Sequence, residues 1–132
     1  MKKALLIITL LFSVVSSSFA GWESRESIWF NGFDGSNNPQ VNNQPLYANI
    51  NAYVDYITIS YNVYYMAPGG GYVDMGVVDS SYNTLFYQYV NTQSASEQNI
   101  TPSSSTSYWG TITTYTESYG TNGSITLKWG QF

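Results

Sequence analysis

The sequence predicts an all-β fold, an antiparallel β-sandwich of jelly-roll-like type with six to eight strands. Several segments alternate apolar and polar residues with a period of two, which is typical of half-buried strands. Tyr, Thr, Val and Ile are abundant and favour strands, while Asn, Gly and Ser favour turns. No segment has the period of an amphipathic helix. One long polar connection favours a chain that changes from one sheet to another.

The first twenty residues predict a cleavable secretory signal. Two lysines precede an apolar run that extends to Val15, and the small residues Ser18 and Ala20 are typical of a cut after Ala20. A run of about a dozen residues is shorter than the roughly 20 apolar residues that a spanning helix needs. We therefore expect a signal peptide at 1–20, a single β-sandwich domain at 21–132, and a secreted protein in the extracellular space, at the cell surface or in the periplasm.

The composition of the predicted mature domain excludes several classes of function. It holds two basic and eight acidic side chains, a net charge of −6. Two basic residues cannot form the patch that a nucleic-acid backbone or an anionic lipid surface requires. The chain has no His and no Cys, which removes Ser-His and Cys-His nucleophilic mechanisms. We expect no nucleic-acid partner, no membrane span in the mature chain, no cofactor and no enzymatic activity.

The first part of the mature chain predicts one short strand and a loop. The strand covers 27–30, and the loop over 31–43 holds glycines, a proline and several asparagines. Asp34 in this loop is a weak candidate for a calcium ligand, because Ca²⁺ takes six to eight oxygens and no other acidic residue lies nearby in sequence. An Asn/Gly turn is the favoured interpretation, and we expect no metal site.

The middle of the chain has the clearest alternation. Apolar residues share one face of a strand at Leu46–Val54, and the phase reverses at Asp55–Tyr56. A reversal indicates a bulge, a turn or a crossing between sheets, and a bend between two strands is favoured. The next strand covers 56–66, with the residues from Ile57 to Tyr65 that lie two apart on its buried face. We predict a hairpin between this strand and a strand over 72–78.

The last third of the chain predicts three more strands. A strand at 85–90 is followed by a polar connection over 91–107, which we expect to cross between sheets. A strand rich in Thr and Tyr covers 108–119. The Asn122–Gly123 pair is the best signal for a two-residue hairpin turn, and the final strand covers 124–132.

The aromatic residues are the most suggestive feature for function. The chain has 13 Tyr and 4 Trp, and these side chains offer flat apolar rings with polar tips. Periodicity places five tyrosines on polar strand faces, namely Tyr47, Tyr53, Tyr64, Tyr72 and Tyr115. We expect a secreted or cell-surface binding module that recognises carbohydrate or a surface partner through exposed Tyr, Trp and Asn. The alternative is that these tyrosines fill cross-strand pairs and cover the ends of the sandwich.

Two further functions stay open at this point. The first is a structural subunit of an extracellular fibre or matrix that self-associates by strand pairing, for which the uncharged, proline-free segment 56–66 is the candidate. The second, favoured least, is a small secreted hydrolase that uses a pair of carboxylates. Its candidate acids are Asp55, Asp74, Asp79 and Glu117.

Overall fold

The structure is a computed structural model that describes residues 21–100 and 107–132, without the side chains of 51–53 and 107–110. The predicted signal peptide at 1–20 therefore lies outside the described residues. Within the described ranges there is no helix of the length and apolarity needed to cross a membrane. The strands are β1 (Glu23–Asn31), β2 (Val41–Tyr53), β3 (Tyr56–Met66), β4 (Tyr72–Val78), β5 (Thr84–Val90), β6 (Ala95–Asn99), β7 (Ser107–Tyr119) and β8 (Thr121–Gly130).

These eight strands form two four-stranded antiparallel sheets. One has the order β1-β8-β3-β6 and the other the order β2-β7-β4-β5. Only the connection from β4 to β5 joins neighbours in one sheet, and every other connection passes from one sheet to the other. The prediction of an all-β antiparallel fold with six to eight strands is confirmed.

Both sheets contribute to one hydrophobic core. The core cluster includes Leu46 from β2, Ile57 from β3, Met75 from β4 and Leu127 from β8. Burial alternates along each of these strands, so that one face of each sheet is covered and the other faces outward. The phase reversal at Asp55–Tyr56 coincides with the passage from β2 to β3, where the chain bends between two strands as predicted and also crosses from one sheet to the other.

The predicted hairpin between 56–66 and 72–78 is wrong. β3 pairs with β8 and β6, whereas β4 pairs with β7 and β5 in the other sheet. The glycine-rich connection between them crosses the edge of the core instead of folding back. Gly71 permits this crossing, because a Cβ at this position would overlap the carbonyl oxygen of Tyr119.

The predicted hairpin turn at Asn122–Gly123 is also wrong, because both residues lie inside β8. β7 and β8 belong to different sheets, and the chain turns between them at Gly120, whose φ is +60°. Gly123 faces the core, where a Cβ would overlap the ring of Phe30 and the carbonyl oxygen of Asn62. The Asn-Gly pair thus allows close packing rather than a tight turn.

Two smaller expectations also differ from the structure. Tyr65 was expected on the buried face of its strand, but a register shift between Val63 and Tyr65 turns it outward, and its exposed fraction is 45%. The polar connection over 91–107 was expected to cross between sheets, but it starts and ends in the same sheet, because β5 and β7 both belong to the order β2-β7-β4-β5, and it visits the other sheet through β6, which pairs with β3. Its five residues lack the apolar alternation by which the longer strands are recognised.

The inner face of β7 buries hydroxyl groups as well as apolar atoms. The side-chain oxygens of Thr114, Thr116 and Ser118 are buried and have no hydrogen-bond partner among the described residues. Gln44 of β2 lies opposite Thr116, and its Oε1 atom is likewise buried without a hydrogen-bond partner among the described residues. A buried hydroxyl without a partner carries a desolvation cost of about 1–3 kcal/mol.

We expect Thr114→Val to raise the free energy of unfolding by about 1 kcal/mol, because it replaces a hydroxyl that lacks a partner with a methyl group of similar size. The matched control is Thr121→Val. Thr121 is equally buried, but its hydroxyl donates to the Tyr72 carbonyl oxygen at 3.1 Å, so its loss should be destabilising by a similar amount. Chemical denaturation of both variants measures the contrast. Destabilisation by both variants would show that Thr114 has a hydrogen-bond partner in solution.

Candidate ligand-binding face

The outer side of the β2-β7-β4-β5 sheet carries a group of tyrosines that we call the tyrosine face. It arises from simple alternation, since Thr114 and Thr116 of β7 point into the core while Tyr115 between them points outward with 51% of its surface exposed. The same alternation applies in the neighbouring strands. The tyrosine face consists of Tyr47, Tyr72, Tyr87, Tyr89, Tyr115 and Tyr119.

A hollow lies near the middle of this face. The strand register places Pro45, Tyr115, Gly76 and Tyr87 side by side across all four strands. Gly76 therefore leaves a gap between two tyrosines, and a Cβ built there would meet nothing within 4 Å. The hollow has a volume of about 400 Å³, and Tyr47 is among the residues that line it.

Three tyrosines beside the hollow form a stack. The ring of Tyr72 lies 5.6 Å from that of Tyr89 and 5.9 Å from that of Tyr119, with angles of 21° and 22° between the ring planes. These spacings are within the range of favourable offset stacking between aromatic rings. The stack fixes the orientation of ring faces next to the hollow.

Two carboxylates lie among the tyrosines. Asp74 of β4 is directly opposite Glu117 of β7, and both line the hollow. The Tyr72 hydroxyl donates to Glu117 Oε1 at 2.7 Å, and this bond is the main reason why the pKa of Tyr72 is raised above 10.0. A hydrogen bond to Asp74 likewise raises the pKa of Tyr87. The Oδ1 atom of Asp74 is buried and has no hydrogen-bond partner among the described residues.

No basic side chain compensates these carboxylates within the described residues. Arg25 and Lys128 lie on β1 and β8 of the other sheet. There, Arg25 pairs with Glu23 at 2.9 Å and Lys128 lies 3.9 Å from Glu97. The tyrosine face is consequently a negatively charged surface of aromatic rings.

The structure brings together three of the five tyrosines proposed from the sequence. Tyr47, Tyr72 and Tyr115 belong to the tyrosine face, whereas Tyr64 lies on the other sheet and the side chain of Tyr53 is outside the described residues. Tyr64 contacts Trp29, with ring centroids 5.9 Å apart. It lines a second cavity of about 470 Å³ together with Phe33, Asn37, Tyr65 and Asn122.

Sequence reasoning missed Tyr87, Tyr89 and Tyr119 as members of the site. Aromatic residues occupy both faces of the strand at 85–90, so that its alternation does not by itself indicate which face is buried. Phe86 and Val90 are both buried and lie four residues apart, on one face of the strand. This spacing is the signal that indicates an outward position for Tyr87 and Tyr89.

The other carboxylates considered from the sequence accept hydrogen bonds from backbone groups elsewhere in the structure. Asp79 accepts backbone N–H bonds from Ser81 and Asn83 in the turn between β4 and β5, and Asp55 accepts one from Phe132. Asp34 accepts backbone N–H bonds from its own loop, which lower its pKa. This is the hydrogen bonding of an Asp turn. Residues 21–100 and 107–132 contain no group of three or more acidic side chains placed to hold a metal ion.

Comparisons with known proteins identify no family. No family model and no curated protein matches the chain. Solved structures with some similarity include dimeric latent PorU from Porphyromonas gingivalis, with a TM-score of 0.40 and 10% identity. Infectious bursal disease virus of the Gx and Gt strains gives TM-scores of 0.33 and 0.34 with 9% and 6% identity. Each match covers 83% of this chain, which spans only 13%, 33% and 32% of the respective chains. Similarity at this level supports no functional conclusion.

The tyrosine–carboxylate bonds predict a loss of stability in alkali. The pKa of Tyr72 is higher in the folded state than its ordinary 10.0, so its contribution to stability is present below about pH 10 and is lost as the pH rises through the folded value. Glu117→Gln should bring the pKa of Tyr72 back towards 10 and make the alkaline loss smaller. Ultraviolet titration of tyrosinate together with denaturation at increasing pH measures both effects.

The control for this prediction is Glu26→Gln, which removes the same charge from β1 in the other sheet. An identical change in the alkaline behaviour of both variants would show that net charge, and not the bond between Tyr72 and Glu117, is responsible.

Proposed function

We propose that this chain is an exported glycan-binding domain in which the tyrosine face receives sugar rings. The observation that carries the proposal is the hollow at Gly76, with exposed tyrosine rings on both sides and two carboxylates at its margin. Binding sites for small ligands combine apolar and aromatic walls with a few polar groups that fix orientation. Aromatic rings complement the C–H faces of a sugar, and carboxylate and amide groups of Asp74, Glu117 and Asn43 suit its hydroxyls.

The proposed architecture is a jelly-roll sandwich that follows a cleaved signal peptide at 1–20. The strand orders support the jelly roll, since they correspond to eight strands wound through two sheets with a single hairpin between β4 and β5. The charged start, apolar run and small residues before Gly21 support export. An exported domain meets glycans outside the cytoplasm, as this function requires.

Hydrolysis of the bound glycan is a second candidate, which the opposition of Asp74 and Glu117 favours. Residues directly opposite in an antiparallel pair have Cβ atoms about 4.5–5.5 Å apart. Retaining glycosidases use carboxyl groups about 5–5.5 Å apart. Binding is the better supported of the two functions, because the hollow lies on the outer surface of a sheet and both carboxylates interact with tyrosine hydroxyls.

The fibre hypothesis depended on the segment 56–66, which is already paired with other strands of the fold. Residues 56–66 form β3, which is flanked by β8 along almost its whole length and by β6 at Thr58–Asn62. A strand with neighbours on both sides offers few free backbone groups to another chain.

We expect Gly76→Leu to abolish binding, because the new side chain fills the hollow. The fold should tolerate it, since no atom lies within 4 Å of the added Cβ and a glycine inside a strand is locally unfavourable. Tyr115→Ala should weaken binding at least about tenfold, or ~1.4 kcal/mol. Calorimetric titration with neutral cello-, chito-, manno- and galacto-oligosaccharides is the measurement, and analysis of the recovered sugars reveals any hydrolysis.

The matched control is Tyr82→Ala. Tyr82 is 79% exposed in the turn between β4 and β5 and is not among the residues that line the hollow. Equal losses from Tyr82→Ala and Tyr115→Ala, or binding that persists in Gly76→Leu, would refute the assignment of the site.

The charge of the tyrosine face predicts its ligand class. Two carboxylates without a neighbouring cation repel acidic sugars, so uronic-acid oligosaccharides should bind at least about tenfold more weakly than neutral ones of equal length. Asp74→Asn and Glu117→Gln should each reduce this discrimination, as should added salt. Tighter binding of the acidic oligosaccharides would contradict this electrostatic assignment.

A further inference from the structure

Each sheet ends in two edge strands, and three of the four carry features that hinder pairing with another chain. β1 carries Glu23, Arg25 and Glu26, while β6 has five residues including Glu97. β2 has Pro45 within it, which cannot donate a backbone hydrogen bond. Charge, short length and proline are the devices by which proteins protect edges. β5 has none of the charged or proline residues that mark the others.

The sequence of β5 is TLFYQYV, seven residues with high strand propensity. It pairs with β4 on one side and ends the β2-β7-β4-β5 sheet on the other. Phe86 and Val90 are buried in the core and hold the strand in place, whereas Tyr87 and Tyr89 are exposed on the tyrosine face. The free edge is thus uncharged and anchored, and it is regular from Phe86 to Val90, beyond a register shift at Leu85.

We propose that two copies of this chain pair through antiparallel β5 strands to form a symmetric dimer with one continuous eight-stranded sheet. In a dimer with two-fold symmetry, β5 of one copy pairs with β5 of the other copy, so that the interface needs no second type of surface. Each copy of the chain is acidic, and β5 is also the edge at which two copies can pair without placing charged residues of one strand against those of the other. The alternation of side chains places the tyrosine face of each copy on the same side of the joined sheet.

This arrangement closes at two copies. A fibre would need a second open edge on each molecule, and Pro45 interrupts the opposite edge of the same sheet. The dimer carries two hollows on one surface, with the tyrosines of both β5 strands between them. A ligand with repeated sugar units would engage both hollows and gain avidity without any new contact type. The dimer itself does not depend on the proposed glycan function.

Sedimentation over a wide range of concentrations tests the dimer, with protein expressed from the full sequence and recovered in its exported form. The wild type should show a reversible equilibrium between monomer and dimer. Gln88→Lys places a charge at the centre of β5 and should raise the dimer dissociation constant at least about tenfold. The matched control is Gln98→Lys on the edge strand β6, which should leave this constant unchanged.

Thermal unfolding of each variant verifies its fold, and Thr84→Lys, at the exposed start of β5, replaces Gln88→Lys if that variant does not fold. A wild type that is monomeric at every concentration would overturn the proposal, as would equal effects of the two glutamine variants. Growth beyond the dimer would overturn closure and favour a fibre. Sugar binding by a strictly monomeric protein would leave the proposed glycan function standing while the dimer fails.

Discussion

The common core between the two sheets is the constraint on which the rest of the structure depends. With no disulfides available, the strands must bury one face against the opposite sheet to be stable. In a strand with a period of two, this requirement leaves every second residue facing outward. β7 shows the consequence most clearly, because its inward residues are Ile112 and small hydroxyl side chains, and its outward residues include Tyr115, Glu117 and Tyr119.

The faces of the strands could be predicted from the sequence, whereas their partners could not. Leu46, Ile59, Val73 and Leu127 are buried as their alternation indicates, because burial depends on local periodicity. Pairing depends on which strands the connections bring together. Both hairpins inferred from turn composition are wrong for the same reason. A Cβ at Gly71 or Gly123 would overlap backbone atoms of another strand, and this close approach arises only when the sheets assemble.

The candidate site could be predicted in the same partial way. Periodicity identified Tyr47, Tyr72 and Tyr115 as outward residues, but it could not show that they share a sheet or that Tyr64 does not. The pair of Asp74 and Glu117 was among several acidic candidates and became distinct only through the register between β4 and β7. A register joins residues 43 positions apart in the chain, and no local pattern contains that information.

Three locally unfavourable features coincide on the tyrosine face. Gly76 lies inside a strand, where glycine is typically destabilising by about 0.5–1 kcal/mol relative to alanine. Asp74 and Glu117 are like charges directly opposite each other, which also opposes strand pairing. Five of the exposed tyrosines lie around both features. None of these features improves the core.

The other sheet lacks this combination on its outer surface. Its charged strands carry both signs, and Arg25 and Lys128 each lie within ion-pair distance of a glutamate. The unfavourable arrangement at the hollow is stabilised by the stack of Tyr72, Tyr89 and Tyr119 and by the hydrogen bond from Tyr72 to Glu117. Neither interaction fills the gap or neutralises the charges. Proteins depart from locally favourable choices mainly at functional sites. The coincidence of a gap, uncompensated charge and ordered aromatic rings is the reason why we propose this face, rather than either end of the two sheets, as the ligand-binding surface.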